Sequence, residues 1–218
     1  DRGVYVQGAF RGNCGIVGLA LAANLYGDYG LSAGGLLLGL VIVVYNSLSV
    51  IVLLAYQPGK TMSLSNTLRD IARNPLIIGV VLAIPFAAFE ITLPGWVMTS
   101  GDYFASLTLP LALLCIGATV SLKSIRSDSG PAMGSSIWKM VSLPALCTFV
   151  AWLAGFEGRE LGLMFLFFAS PTAAASFVMV RALGGNDRTA ANIIALTTLL
   201  ASVTVTTGVF VLQSIGVA

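Results

Sequence analysis

Hydrophobic residues along this chain form long stretches that are separated by short groups of charged residues. Seven stretches contain no Asp, Glu, Lys or Arg and are long enough to form apolar helices: 12–27, 29–59, 74–89, 103–122, 140–156, 161–180 and 189–218. A membrane-spanning helix needs about 20 mostly apolar residues. The pattern therefore predicts an all-α, polytopic membrane protein with seven spans, which we call spans a to g in chain order.

Composition supports this fold class and excludes several functions. Of 218 residues, 57% are hydrophobic and only 9% are charged, whereas soluble domains are about 25% charged. A soluble enzyme, a disordered chain and a nucleic-acid-binding protein are therefore excluded. The sequence has no histidine and three cysteines without CxxC spacing, so we expect no metal and no cofactor.

The basic residues in the spacers predict an orientation. Ten of the eleven Lys and Arg residues fall in alternate spacers, and Arg159 alone falls on the other side. Because cytoplasmic loops are rich in Lys and Arg, residue 1 should be cytoplasmic and Ala218 outside, in a multi-pass protein of the cell (inner or plasma) membrane. This assignment places every basic residue in a spacer, so we expect no basic side chain in the membrane centre.

Spans a and f contain residues that should break a helix inside the membrane. Span a holds Asn13 among glycines in FRGNCGIVGLAL, and span f holds Pro171 in FFASPTAAASF. Proline removes a backbone donor, and lipid cannot satisfy the groups that a break frees. One such break alone favours a packing kink, but two in corresponding places indicate a binding site at the crossing of two broken helices.

The two broken spans also predict an internal repeat. An offset of 158 superposes Asn13 on Pro171 and aligns three identical pairs: Phe10 with Phe168, Leu25 with Leu183, and Gly27 with Gly185. Spans a and f are five spans apart and cross the membrane in opposite directions, which is typical of inverted-repeat transporters. We expect a ten-span (5+5) protein, with about 84 residues and three spans before Asp1 and no transport by these 218 residues alone.

This repeat divides the chain into three parts. Residues 1–56 are predicted to be the last two spans of the first repeat, 57–73 a cytoplasmic connector, and 74–218 the complete five-span second repeat. Within the connector, SLSNTLRDIARNP fits either a short amphipathic helix on the membrane surface or a plain linker.

Several segments together resemble the auxin efflux carrier family, in the bile/arsenite/riboflavin transporter superfamily. FRGNCGIVGLAL resembles that family's N-T-G-x-x-G-L-P-L segment, and RNPLIIGVVLAIPF, LTLPLALLCIGATVSL and ASPTAAASFVMVRALGG resemble its later spans. The resemblance implies a ten-span permease for organic anions such as malate, malonate or auxin, with Asn13, Pro171 and Thr172 at the crossover. The chain departs from the family pattern at Cys14, often Thr, and at Ala20, often Pro.

The resulting hypothesis is a secondary transporter that binds a small mono- or dicarboxylate at the crossover. Half-helix N-termini carry free amides and suit an anion. The predicted substrate-binding residues are Asn13, Cys14, Gly15, Ser170, Pro171 and Thr172. Asn46 is predicted either to hydrogen-bond across helices or to line the path. The lipid bilayer is the expected surrounding, and a homodimer is one assembly that such a permease could form.

Two other classes of function stay open. A structural membrane subunit would explain the hydrophobicity but not two matched breaks. An intramembrane enzyme would need a buried nucleophile–base pair, a carboxylate pair or a metal. The chain has no histidine and no two carboxylates inside its spans, so a serine–histidine, zinc or aspartyl protease site is excluded.

Overall fold

The computed structural model describes residues 2–57, 75–119 and 129–217. Residues 58–74, which hold most of the predicted connector and its possible amphipathic helix, lie outside this part. We number the α-helices in chain order as α1 (Arg2–Phe10), α2 (Leu19–Ala55), α3 (Pro75–Ala88), α4 (Gly95–Thr119), α5 (Ser129–Ile137), α6 (Leu143–Leu153), α7 (Gly158–Phe168), α8 (Ala175–Ala182) and α9 (Asp187–Ser214). Two π-helical turns, Cys14–Gly18 and Trp138–Ser142, lead directly into α2 and α6.

Long apolar helices with exposed hydrophobic side chains identify this chain as an all-α membrane protein. Within the described residues, three helical segments are long and apolar enough to cross a membrane: Cys14–Ala55, which includes a turn at Gly27, Gly130–Leu153 and Asp187–Ser214. Leu36 is 82% exposed, Phe89 77% and Trp96 75%. Such side chains would destabilise a water-facing surface but suit contact with lipid. The predicted fold class is confirmed.

The first of these helices turns back on itself at Gly27. Its backbone there has φ 57° and ψ −135°, which only glycine adopts readily. Leu38 lies beside Gly15, and Leu19 lies beside Gly34, so residues 14–26 and 28–55 run side by side. This turn separates predicted spans a and b at the place that the sequence indicated.

Two predicted span boundaries are wrong, because a basic residue taken as the end of a span is buried within it. Arg11 lies in the break that follows α1, and Lys139 lies within a continuous helical run. Span a was placed at 12–27, yet helix α1 already begins at Arg2 and carries the chain to Arg11. Span e was placed at 140–156, yet the helix runs from Ser129 through Lys139 to Leu153. Arg11 and Lys139 are both buried, so neither marks a membrane surface.

Both predicted helix breaks are present, and they meet. The first broken helix stops at Phe10 and resumes at Cys14, and the second stops at Phe168 and resumes at Ala175. Phe10 and Phe168 are a pair that the offset of 158 aligns. Between the breaks, Gly12 and Thr172 form an isolated antiparallel β-bridge.

The crossing separates two apolar cores. Core 1 consists of Val4, Val50, Leu53, Leu54, Ala132, Phe177, Met179, Val180, Ala190, Ala191, Ile193 and Ile194. Core 2 consists of Cys14, Ala22, Met140, Leu163, Phe165, Leu166, Phe167, Ala169 and Val205. In α9, the buried Thr197 lies between the residues of core 1 and Val205 of core 2. Buried polar residues therefore occupy the middle of the molecule. We call them the polar layer: Arg11, Asn46, Ser49, Lys139, Ser170, Thr172 and Thr197.

Candidate functional site at the helix crossover

Main-chain hydrogen bonds hold the two broken helices together. The amide of Asn13 donates to the carbonyl of Pro171 at 2.7 Å, and the amide of Ala173 donates to the carbonyl of Arg11 at 3.1 Å. These bonds pair backbone groups that the helix breaks release and that lipid could not satisfy. These hydrogen bonds between the two segments can form only because both helices are broken.

Side chains satisfy the carbonyls at the broken end of α7. A helix leaves its last carbonyls without helical partners. Here Ser170 Oγ donates to the carbonyl of Leu166 at 2.8 Å, Cys14 Sγ to that of Phe167 at 3.3 Å, and Lys139 Nζ to that of Phe168 at 2.7 Å. The carbonyl that Pro171 displaces, at Phe167, is therefore paired with a thiol from the other broken helix.

The opposite helix ends at the crossing carry free donors. Among the described residues, the amides of Gly15 and Ile16 have no acceptor, and neither do those of Ala174 and Ala175. These amides lie at the N-termini of the two resumed helices, which carry partial positive charge.

Asn13 adds side-chain donors beside these amides. Its side chain is half-buried and makes no hydrogen bond with the described part of the chain. An asparagine amide can donate two hydrogen bonds and accept others. The crossing therefore presents unsatisfied donors, which favour a negatively charged or carbonyl-bearing ligand.

Arg11 lies in the interior, which corrects the expectation that no basic side chain enters the membrane centre. It is only 6% exposed. Its guanidinium donates to Asn46 Oδ1 at 2.7 Å and to Ser49 Oγ at 3.0 Å, and it also contacts the sulfur of Met179. Asn46 thus forms a hydrogen bond across helices, the first of its two predicted roles.

Lys139 is the second interior cation, and it lies against the crossing itself. It is fully buried. A Cβ added to Gly12 would lie 3.2 Å from Lys139 Nζ and 3.2 Å from Cys14 Sγ, so the amine and the thiol both approach the backbone of the first break. Glycine at position 12 is what permits this approach.

No carboxylate within the described ranges pairs with Arg11 or Lys139. The sequence neighbours of both cations contain no Asp or Glu, in 3–27 around Arg11 and in 129–156 around Lys139. Removing a charge from water costs several kcal/mol even after the protein relaxes. Counting the described residues, the polar layer therefore has an excess of positive charge.

The predicted site residues fall at the crossing, but they are not equally available. The hydroxyl of Ser170 is donated to Leu166, and that of Thr172 is donated to the carbonyl of Gly8 at 2.9 Å. The amide of Thr172 is also occupied, because it donates to Thr197 Oγ1 at 3.1 Å. Both side chains are buried and act in the framework. Asn13 remains the predicted side chain with free donors.

Two other predicted site residues, Cys14 and Gly15, directly follow Asn13. Cys14 is buried, and its thiol caps α7. Gly15 is exposed, and Leu38 is its nearest side-chain neighbour. Gly15 therefore offers its free amide rather than any side-chain contact.

A signal for the two missed cations was present in the sequence. Arg11 is the only charged residue in 3–27, and Lys139 is the only one in 129–156. Each stretch would be long enough to span a membrane if its single charge were ignored. A lone charge that divides such a stretch is better interpreted as an intramembrane residue. An intramembrane charge indicates a candidate functional site.

A wide apolar cavity lies apart from the crossing. It has a volume of about 760 Å³ and lies between α6, α7 and α9, with Phe149, Trp152 and Phe165 among its lining residues. Its walls are apolar apart from threonines and carry no cationic side chain. It lacks the groups that would select a polar solute.

Most of this chain matches a known protein family. Residues 57–209, more than half of the chain, match the family described as membrane transport protein. The chain belongs to that family. The match confirms the resemblance to auxin efflux carrier permeases.

A curated relative supports the family assignment. The chain is 24% identical over 177 residues to an uncharacterized transporter of Methanocaldococcus jannaschii, an alignment that covers 77% of this chain and 54% of the archaeal protein. The chain thus spans about half the length of the relative it matches.

Proposed function

We propose that this protein is a secondary transporter that moves a small organic anion, such as a mono- or dicarboxylate, and binds it at the crossover. The observation that carries this proposal is the excess positive charge of the polar layer. Arg11 and Lys139 are buried there, and no carboxylate among the described residues balances them. An anion would supply the missing charge.

The backbone around these cations supports the same ligand. Free amides at the N-termini of two helices can bind a carboxylate by hydrogen bonds and by the helix dipole. Asn13 provides further donors at the same break. A neutral or cationic solute would gain little from this arrangement, because the free groups on offer are mainly donors.

The polar layer also favours transport over the two other classes of function. A structural subunit gains nothing from two helices broken in the membrane centre. An enzyme would need a general base or a nucleophile–base pair directed at a substrate, whereas the amine of Lys139 and the thiol of Cys14 both donate to carbonyls at the end of α7. We therefore propose that the protein is not an enzyme.

The orientation inferred from the charges completes the proposal. Eight of the nine basic residues other than Arg11 and Lys139 still fall on one predicted side. We place this side in the cytoplasm and the C-terminus outside. The crossing then lies midway, with seven spans of a ten-span transporter present in this chain.

A flux measurement tests the proposed function. The protein expressed from its complete gene would be purified and reconstituted in liposomes, and uptake of radiolabelled acetate, lactate, malonate and malate would be measured against choline and glycerol. We expect saturable uptake of at least one carboxylate. Uptake of choline or glycerol with no carboxylate flux would overturn the proposal.

A further inference from the structure

The two buried cations of the polar layer differ in how completely they are coordinated. Arg11 has polar partners on both sides of its guanidinium, from Asn46 and Ser49 on α2. Lys139 has one hydrogen-bond partner in the described part, the carbonyl of Phe168. An ammonium carries three N–H donors, so Lys139 is left with spare donors when it is charged.

The two cations also differ in chemistry. Arginine stays charged in proteins, whereas a buried lysine can exist as an ammonium or as a neutral amine. The neutral amine has fewer donors to satisfy and carries no charge that must be removed from water. The broken C-terminal end of α7 favours the ammonium through its dipole. At this position, burial favours the neutral amine and the helix end favours the ammonium, so both forms of Lys139 are accessible.

The titratable groups that face Lys139 do not fix its charge. They are the thiols of Cys14, on the first broken helix, and Cys147, on the same helical run as Lys139. Among the described residues, no carboxylate pairs with Lys139. An anion that enters the site from outside can therefore pair with the ammonium.

We propose that Lys139 carries a proton that is transported together with the anion. This inference rests on the proposed function. When an anion enters, the neutral amine takes a proton from water on the same side and forms an ammonium–carboxylate pair. When the anion leaves on the other side, the ammonium releases that proton to water and returns to the amine.

The charge balance of this cycle is defined. The amine's lone pair forms the N–H bond on loading, and the same bond breaks on unloading, so no other reactant is needed. A monocarboxylate would cross without net charge, and a dicarboxylate dianion would carry one net negative charge with each proton. Arg11 would stay charged throughout and would hold the layer positive.

A structural role for Lys139 predicts different behaviour. If the amine serves only to cap the carbonyl of Phe168, then any donor of similar length should replace it, and anion transport should move no protons. Lys139→Arg separates the two roles, because arginine can cap the carbonyl and attract the anion but cannot release its proton.

The experiment measures protons and anions in the same liposomes. The protein would be reconstituted with a pH-sensitive dye inside, and malate, or the panel member with the highest flux, would be added outside. For wild type we expect one proton per anion. For Lys139→Arg we expect binding within about tenfold of wild type but at least a tenfold lower proton-to-anion ratio.

Ser136→Ala provides a matched control on the same helical run. Ser136 is buried and donates to the carbonyl of Ala132, and it is not part of the proposed machinery. This variant should keep the wild-type ratio. An unchanged ratio in Lys139→Arg, with anion flux intact, would overturn the role of Lys139 and leave the proposed function standing. Absence of any carboxylate flux in wild type would overturn both.

A measurement on unmodified protein covers the case in which Lys139→Arg does not fold. Wild-type protein in detergent and weak buffer would be mixed with the same anion, and the proton uptake would be read from the pH. We expect close to one proton per bound anion at alkaline pH, with affinity falling up to about tenfold per pH unit. Binding without proton uptake from pH 6 to 10 would contradict the inference.

Discussion

Arg11 shows how a charged residue is retained inside this protein without a carboxylate. Its guanidinium is bound by an amide oxygen, a hydroxyl and a sulfur. Neutral acceptors can stabilise a buried cation because hydrogen bonds to charged groups contribute roughly 1.5–3 kcal/mol each. The charge itself is left uncompensated, and this residual charge is what an anionic ligand could use.

Removing the amide oxygen tests this coordination. Asn46→Leu should lower stability by roughly 1.5–3 kcal/mol, because the guanidinium stays buried and loses its 2.7 Å partner. The measurement is thermal unfolding in detergent. Asn24→Leu is the control, since Asn24 is exposed on the same hairpin. Equal unfolding temperatures for the two variants would show that Arg11 does not depend on Asn46.

Asn13 should matter for binding more than for folding. Asn13→Ala removes free donors at the crossing but no hydrogen bond of the described part, so affinity for the transported anion should fall about 10- to 100-fold. Substrate-induced thermal stabilisation would report the loss. A full wild-type stabilisation by substrate in this variant would remove Asn13 from the site.

Thr172 should behave in the opposite way. Thr172→Val loses the hydroxyl that donates to Gly8, so we expect a lower unfolding temperature, and a smaller effect on affinity than Asn13→Ala has. Wild-type stability together with weakened anion binding would show that this hydroxyl does not hold the crossing together. The same detergent assay provides both values.

At the scale of elements, the broken end of α7 is satisfied partly by its own segment and partly by groups from other helices. The carbonyls that end α7 receive Ser170, Cys14 and Lys139, while the main chain pairs Asn13 with Pro171. These partners come from three separate segments. The break in one helix therefore depends on the position of the others, which lets the crossing respond when the helices move.

The turn at Gly27 allows a clean test of backbone conformation. Nothing lies within 4 Å of a Cβ added there, so Gly27→Ala should destabilise only through its positive φ, by about 1–3 kcal/mol. Gly35→Ala, also in open space but in regular helix, should instead stabilise by up to about 1 kcal/mol. Thermal unfolding of both variants checks the signs. A stabilised Gly27→Ala would mean that the turn has another conformation.

Sequence patterns predicted most elements but misplaced the boundaries at buried charges. Glycine and proline disrupt helices through local geometry, so the breaks near Asn13 and Pro171 and the turn at Gly27 were predictable. The burial of Arg11 and Lys139 was not, because it depends on acceptors that are distant in sequence, such as Asn46 and Phe168. For the same reason, the roles of Ser170 and Thr172 in the framework could not be read from composition.

At the scale of the whole molecule, two apolar cores enclose one polar layer. Core 1 and core 2 share helices but lie on opposite sides of the crossing. Apolar packing can be rearranged on either side while the polar layer keeps its hydrogen bonds. This division is suited to a protein that must expose one central site first to one side of a membrane and then to the other.

The proposed orientation can be tested at the two ends of the molecule. Ala154 and Ala182 are both exposed, and they lie at opposite ends because α7 and α8 meet at the crossing between them. In a cysteine-free background, Ala154→Cys should react with an impermeant maleimide in intact cells. Ala182→Cys should react only after permeabilisation. The reverse pattern would invert the orientation.

The β-bridge at the crossing also constrains the order in which the protein can be made. Gly12 and Thr172 are 160 residues apart, so at 5–20 residues per second the ribosome needs roughly 10–30 s between them. Arg11, by contrast, meets Asn46 after only 35 residues. The charge can thus be coordinated while synthesis continues, whereas the main chain of the first break must wait for its partner. During that interval, insertion factors or water must protect the exposed amides and carbonyls of residues 11–13.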